Sequence, residues 1–300
     1  MVLRLANSHN AEHITSQACQ MFADLVNEKT DGRITIECHF AGELGDERST
    51  IEQCQFGGLD FTRVSSGASA EFAPLMNALQ MPYEYKDVDH LFKVLDGDIG
   101  QEVFDTFKDN NLVGITYLHP GSRNFFNSKK EIHTPADLAG MKIRVSNDPI
   151  MTGMVEGLGA NPTVVAMGEL YSALQTGVVD AAEQPIANYQ ANAFPEVANN
   201  LILDGHTLGA IQAVITDNAW GKLTENQQAA IMEAGADTQN FNAELSESAE
   251  NKVLDELKSS GCNVVDVPDK APWQEACAKV ISENTSDQAE LYQKLLDMKA

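Results

Sequence analysis

Short apolar runs alternating with amphipathic helical stretches fill the first half of the chain, and that alternation commits it to an α/β fold with a largely parallel sheet. Val2 to Ala6 reads as a strand leading to a helix near Glu12 to Lys29. Arg33 to Phe40 leads to a helix near Glu47 to Phe56, and Leu59 to Val64 follows. Further strands are expected at Leu112 to Leu118, Met141 to Val145, Thr163 to Val165 and Val178 to Ala182, with helices between them. Thr134-Pro135-Ala136-Asp137 places a capping hydroxyl, a proline and an acid where a helix begins, so Asp137 reads as a helix start and not as a catalytic acid. Thr224-Glu225-Asn226-Gln227 is a second capping box, opening a stretch with few breakers to Ser259. A helix of about 35 residues spans ~50 Å, more than one small domain, which predicts a long helix running across two lobes. With crossings placed at Arg123 and near Gly209, the expected lobes are discontinuous: residues 1–122 with 210–250, and residues 123–209 with 251–300.

The 300 residues are 43% hydrophobic, ample for real cores, and carry a formal net charge of -24. So acidic a chain is a poor partner for nucleic acid or an anionic membrane surface. No run of apolar residues is long enough to cross a bilayer, so no membrane insertion is expected. The sequence opens on a strand-like Met1-Val2-Leu3-Arg4-Leu5-Ala6 with no charged-then-apolar leader. The expectation is an exported protein whose signal peptide has been removed.

Enzyme signatures are missing. There is no GxSxG elbow, phosphate loop, HExxH or EF-hand loop, and Gly157-Leu158-Gly159-Ala160-Asn161-Pro162 has a proline where a dinucleotide fingerprint needs its third glycine; it reads as a helix-to-strand turn. Cys19, Cys38, Cys54, Cys262 and Cys277 show no metal or redox spacing and are expected to be unpaired and buried. His9 and His13 have the i, i+4 spacing of a metal pair but lie where a loop becomes a helix, so a polar loop is the expectation. No metal or cofactor is implied.

What stands out is the placement of six arginines, Arg4, Arg33, Arg48, Arg63, Arg123 and Arg144. In Met141-Lys142-Ile143-Arg144-Val145 the strand period puts Ile143 and Val145 toward the core and Arg144 on the other face, just before Ser146-Asn147-Asp148-Pro149. Arg123 follows the strand Leu112 to Leu118 through His119-Pro120-Gly121-Ser122. Ligands of open parallel sheets bind outside the strands' carboxyl ends, so both guanidinium groups point to the expected site; two surface arginines paired with nearby acids are the alternative. Asn7-Ser8-His9-Asn10, Ser65-Ser66-Gly67 and Glu183-Gln184-Pro185 are polar strand ends as well, and each alone also reads as a solvated turn. Together, hydroxyls, amides and two arginines describe a site for a polyhydroxylated anion.

At these residues the chain resembles the solute-binding proteins of tripartite ATP-independent periplasmic (TRAP) transporters, the DctP-like family. The resemblance is carried by Phe22-Ala23-Asp24-Leu25-Val26 with Gly32-Arg33-Ile34, by Gly42-Glu43-Leu44-Gly45-Asp46-Glu47-Arg48, by Gly58-Leu59-Asp60-Phe61, by Asp137-Leu138-Ala139-Gly140-Met141-Lys142-Ile143-Arg144-Val145, by Leu158-Gly159-Ala160-Asn161-Pro162-Thr163 and by Tyr171-Ser172-Ala173-Leu174-Gln175-Thr176-Gly177-Val178-Val179-Asp180. It implies a two-lobed periplasmic-binding-protein-like α/β fold that closes on a ligand and hands it to membrane permease subunits, and a periplasmic location. It implies that Arg144 forms the salt bridge to a substrate carboxylate and Arg123 a second anchor. Gln184 falls where the family has asparagine, and Ala181 replaces its common glycine. Ser65 and Ser66 occupy a loop that varies with ligand, and Met167 falls where a ring-packing aromatic often sits. Gly121-Ser122-Arg123-Asn124-Phe125-Phe126 and Arg63-Val64-Ser65-Ser66-Gly67 look more like the sugar-acid and uronate branch than the sialic-acid branch. The expected ligand set is then Arg144, Arg123, Gln184, Ser65, Ser66, Asn7, His13, Glu183, His206 and Met167, with Glu183 and His206 either touching ligand hydroxyls or orienting residues that do. C4-dicarboxylates or other small carboxylates are the alternative ligands. An α/β enzyme acting on sugar acids, with Glu183 or His206 as base, is the alternative of another class.

Overall fold

The computed structural model describes residues 1–298, among which the chain folds as a mixed α/β protein of twelve strands and numerous helices. The strands are β1 (Val2–Ala6), β2 (Thr35–His39), β3 (Phe61–Ser65), β4 (Leu112–Leu118), β5 (Ser122–Asn127) and β6 (Lys142–Val145). They continue as β7 (Asn161–Val164), β8 (Ala181–Pro185), β9 (Asn200–Leu203), β10 (Thr207–Leu208), β11 (Ile211–Thr216) and β12 (Asn263–Asp266). Two compact units result. The first contains residues 1–79, 92–120 and 209–247, and the second contains 80–91, 121–208 and the chain from 248 onward.

The first unit is built on a sheet of order β2-β1-β3-β11-β4. β1 pairs parallel to β2 and β3, as the alternation of short strands and helices requires. Helix Ile14–Lys29 buries Phe22, Ala23 and Val26 against Leu3, Leu5 and Phe61, with the Phe22 and Phe61 rings edge to face at 5.6 Å. The expectation of a largely parallel sheet is corrected by β11, which lies antiparallel to both β3 and β4. It arrives from more than ninety residues downstream of β4, and a local strand–helix pattern carries no information about so distant a partner.

At the end of β4, His119 is fully enclosed. Its backbone amide donates to Asn242 Oδ1 at 2.6 Å, and its Nδ1 lies 3.0 Å from the Gly209 carbonyl, which only accepts, so Nδ1 carries the proton. Burial pulls its pKa down to about 4. The folded protein therefore resists a proton that the unfolded chain accepts, and acidification from about pH 6.5 to 4 removes about 3 kcal/mol of stability through this group. His119→Asn, which retains a donor for Gly209, is expected to flatten that part of the stability profile in urea melts between pH 7.5 and 4; an unchanged slope would place the acid sensitivity elsewhere.

The second unit has a sheet of order β12-β9-β5-β8-β6-β7, with β10 added to β5. β6 runs parallel to β7 and β8, whereas β5 runs antiparallel to β8, β9 and β10. Phe126, Leu170, Leu174, Val179, Tyr189 and Phe194 form its core. Residues 80–91 belong here and not with the segments before them, which differs from the expected boundary. Tyr83 holds them by donating its hydroxyl to Asp204 Oδ2 at 3.0 Å and by packing on Trp273.

Helix Glu225–Ser259 has the length expected, and residues 225–247 belong to the first unit while 248–259 belong to the second. Its capping box is reciprocal: Gln227 N donates to Thr224 Oγ1 at 3.3 Å and Thr224 N to Gln227 Oε1 at 2.9 Å. All five cysteines are free.

Candidate functional site

Three strands of the second unit bring its polar residues together. β6 carries Arg144, whose neighbours Ile143 and Val145 are fully buried, as the strand period predicts. Arg144 itself is only 4% exposed. Its Nε donates to the Val165 carbonyl at 2.9 Å, which fixes the guanidinium plane and leaves both Nη groups for another partner. It makes no ion pair among the described residues. Burial works against its protonated form, the Glu183 charge supports that form, and the Arg123 charge opposes it to a smaller extent. A guanidinium remains charged under such a shift.

Arg123 lies near the start of its own strand, β5, and not at the carboxyl end of β4 where the sequence places it. Because β5 runs antiparallel to β8, its first residues stand level with the last residues of β8: Arg123 registers with Pro185 and Asn124 with Gln184. Gly121, at φ +101°, makes the turn into this strand, and a Cβ there would come within 2.6 Å of Glu250 Oε1. That same Glu250 oxygen accepts the Ser122 amide at 2.6 Å. Glu183 and Gln184 likewise lie within β8 and not in the turn after it, since the strand starts three residues later than its apolar pattern suggests.

Arg123 is already engaged. Its Nε and Nη2 donate to the two oxygens of Glu183 at 2.5 and 2.8 Å, a bidentate pair in which the carboxylate is wholly buried. His206, also wholly buried, sits between two acids, with Nδ1 2.7 Å from Asp204 Oδ2 and Nε2 3.4 Å from Glu183 Oε2. Asp204 further accepts the Tyr83 hydroxyl and the Phe125 amide. Burial alone would raise the Glu183 pKa, but Arg123 and His206 bring it down to about 2. Burial would lower that of His206, and Asp204 and then Glu183 outweigh it, so His206 is held in its imidazolium form. Glu183 and His206 are thus engaged by protein side chains, Glu183 by Arg123 and His206, and His206 by Asp204. Gln184 donates to Met167 Sδ at 3.8 Å, and Met167 is 38% exposed beside it.

The remaining candidates lie in the first unit, and their polar atoms are used there. Asn7 is buried and donates to Ser16 Oγ at 3.0 Å while accepting the His9 amide. Ser65 ends β3, caps the short helix Ser66–Ala70 and donates to Glu47 Oε2 at 2.5 Å. Ser66 is buried and donates to the Ala210 carbonyl. His13 caps helix Ile14–Lys29, accepting from Thr15 N, and its ring stacks on that of His9 at 3.9 Å. The structure thus brings Arg144, Arg123, Glu183, Gln184, His206 and Met167 into one unit and leaves Asn7, His13, Ser65 and Ser66 in the other.

Sequence reasoning missed Asp204, Tyr83 and Asp148. Asp204-Gly205-His206 was the available signal for the first, an acid and an imidazole two residues apart. Asp148 caps helix Pro149–Gly157 through the Ile150 amide at 2.8 Å, and its charge supports that of Arg123.

A buried arginine held through Nε, with no ion pair among the described residues, is the cation this unit offers to an anion. The chain belongs to the DctP family, the bacterial extracellular solute-binding proteins of family 7, whose model matches residues 5–288. A solute-binding protein of Chromohalobacter salexigens is 30% identical over 292 residues, 97% of this chain and 87% of that protein. Among solved structures, the TRAP periplasmic solute-binding protein of Sulfitobacter sp. NAS-14.1 with bound β-D-galacturonate is 30% identical, with a TM-score of 0.90 and 99% of both chains covered. That of Roseobacter denitrificans with bound β-D-glucuronate is 31% identical, with a TM-score of 0.91 and the same coverage. The protein is a solute-binding protein of the TRAP class and not an enzyme.

Proposed function

We propose that the protein captures a sugar acid of the uronate class in the periplasm, by a bidentate contact between its carboxylate and Arg144, and delivers it to the membrane permease subunits of a TRAP transporter. The observation that carries this reading is Arg144: a buried guanidinium anchored through Nε, with both Nη groups left over and no acid partner among the described residues. Uronates bound to structural neighbours at 30% and 31% identity support the ligand class. Arg123, still 24% exposed at its side chain, is the proposed second anchor, with Gln184 and Met167 beside it.

The global charge does not oppose this. On a sphere of about 25 Å radius, a charge of -24 repels a monoanion by only ~1 kcal/mol at physiological ionic strength. Charge-assisted hydrogen bonds to Arg144 contribute about 1.5–3 kcal/mol each. A thermal-shift series with glucuronate, galacturonate and succinate tests the class: a ligand at 100 times its dissociation constant adds about 2.7 kcal/mol, which moves the melt by several degrees. Flat responses to both uronates beside a shift with succinate would refute it.

A further inference from the structure

The sulfur of Met167 is an oxidisable atom beside Gln184. Met76, Met81, Met141, Met151 and Met154 are buried, whereas Met167 is 38% exposed, and among the described residues only Met1 and Met232 are methionines as open. The exposure follows from the local chain. Met167 opens the single 3-10 turn Met167–Glu169, none of whose residues is buried, and Gly168 beside it has no side chain to cover the sulfur. Gln184 directs its Nε2 to that sulfur at 3.8 Å, and its Oε1 accepts Asn188 Nδ2 at 3.4 Å, so the amide is turned with its nitrogen toward Met167. Two residues before Met167, the Val165 carbonyl accepts Arg144 Nε.

We propose that Met167 is a reversible modification site: a peroxide converts its thioether to the sulfoxide, and the sulfoxide weakens sugar-acid binding. This rests on the uronate reading and adds a control to it. A sulfur lone pair attacks hydrogen peroxide, an S–O bond forms as the O–O bond breaks, and the released hydroxide takes the proton of the transferred oxygen and leaves as water. The sulfur is oxidised by two electrons and the peroxide is reduced by two. Two properties of the site change. A thioether is a weak acceptor, so the 3.8 Å contact leaves the Gln184 N–H groups for a ligand. A sulfoxide oxygen is a polar acceptor carried on the very atom those groups face, and it takes one of them. The flexible apolar surface that Met167 offers to a sugar ring becomes polar as well.

Calorimetry of the full chain with D-galacturonate, before and after treatment with hydrogen peroxide, tests this, with peptide mass spectrometry following each methionine. Met167 is expected to oxidise at least as readily as the equally exposed Met232, and its conversion to weaken galacturonate binding at least about fivefold, the loss of roughly one hydrogen bond. Methionine sulfoxide reductases for the two epimers should restore the affinity. Met167→Leu sets its own baseline, which peroxide should not lower further, and Met232→Leu should lose affinity on treatment as the wild type does. Unchanged affinity after Met167 has oxidised overturns the proposal. So does a Met167 that stays reduced while Met232 reacts, or a loss in Met167→Leu equal to that of the wild type. Should leucine at 167 abolish binding, Met232→Leu decides, and a loss that disappears in it places the effect on Met232. Absence of galacturonate binding before any peroxide sinks the uronate reading itself, whereas binding that survives Met167 oxidation sinks only the control.

Discussion

Arg144→Ala is expected to weaken uronate binding by about 10²- to 10⁴-fold while leaving the melting temperature unchanged or higher. The first half follows from geometry. With Nε committed to the Val165 carbonyl, the two Nη groups form a fixed fork, and a carboxylate received by such a fork makes two charge-assisted bonds whose ordering cost was met during folding. The second half follows from burial. Arg144 is 4% exposed and makes no ion pair among the described residues, so the free protein holds a guanidinium away from water with only the more distant Glu183 charge to support it, a cost that alanine removes. Arg144→Lys separates the two contributions: it preserves a charge but neither the anchor on Val165 nor the fork, so its affinity should fall between those of wild type and alanine. Calorimetry beside thermal melts reads both. Retention of affinity within threefold in Arg144→Ala would remove the residue from the binding role.

The sequence made the placement of Arg144 legible and hid the network around it, for a physical reason. Arg144 interrupts a strand whose flanking residues, Ile143 and Val145, declare the core face, and a period of two is a local signal. Helix Glu225–Ser259 was equally visible, since its capping box and the scarcity of breakers are both local. β5 was not: Ser-Arg-Asn-Phe-Phe-Asn has no alternation, and its partners β8 and β9 are supplied by segments far along the chain. β8 was displaced in the reading because Glu183 and Gln184 look like turn residues, yet both are buried strand residues whose polarity is satisfied by side chains from elsewhere. Hydrophobic patterning treats a buried ion pair as a loop. For the same reason Asp204 and Tyr83 went unnoticed, their role resting on a contact across more than a hundred residues.

Glu183→Ala is expected to show the opposite phenotype, a loss of about 3–5 kcal/mol in stability, because it strands Arg123 and the His206 imidazolium in a buried site. The pH profile gives the test its signature. Glu183 has a folded pKa of about 2 against an ordinary 4.5, so its contribution is present at neutral pH and is lost as pH falls from about 4.5 toward 2. The His206 pKa is raised above its ordinary 6.5, so that contribution is complete below pH 6.5 and is lost as pH rises through the folded value. The network therefore stabilises most between about pH 4.5 and 6.5. His119, with its pKa lowered to about 4, opposes that plateau, because its penalty grows across the same interval. Glu250, raised by burial to about 7, adds a penalty that grows as pH rises from about 4.5, so the network's own plateau is read as the difference between urea melts with and without Glu183→Ala in a His119→Asn background. Glu183→Ala should diminish the acid limb and weaken the alkaline one, since His206 then retains only Asp204. An undiminished plateau after that substitution would mean that the buried pair contributes nothing to the fold, and that Arg123 is held in place by the strand alone.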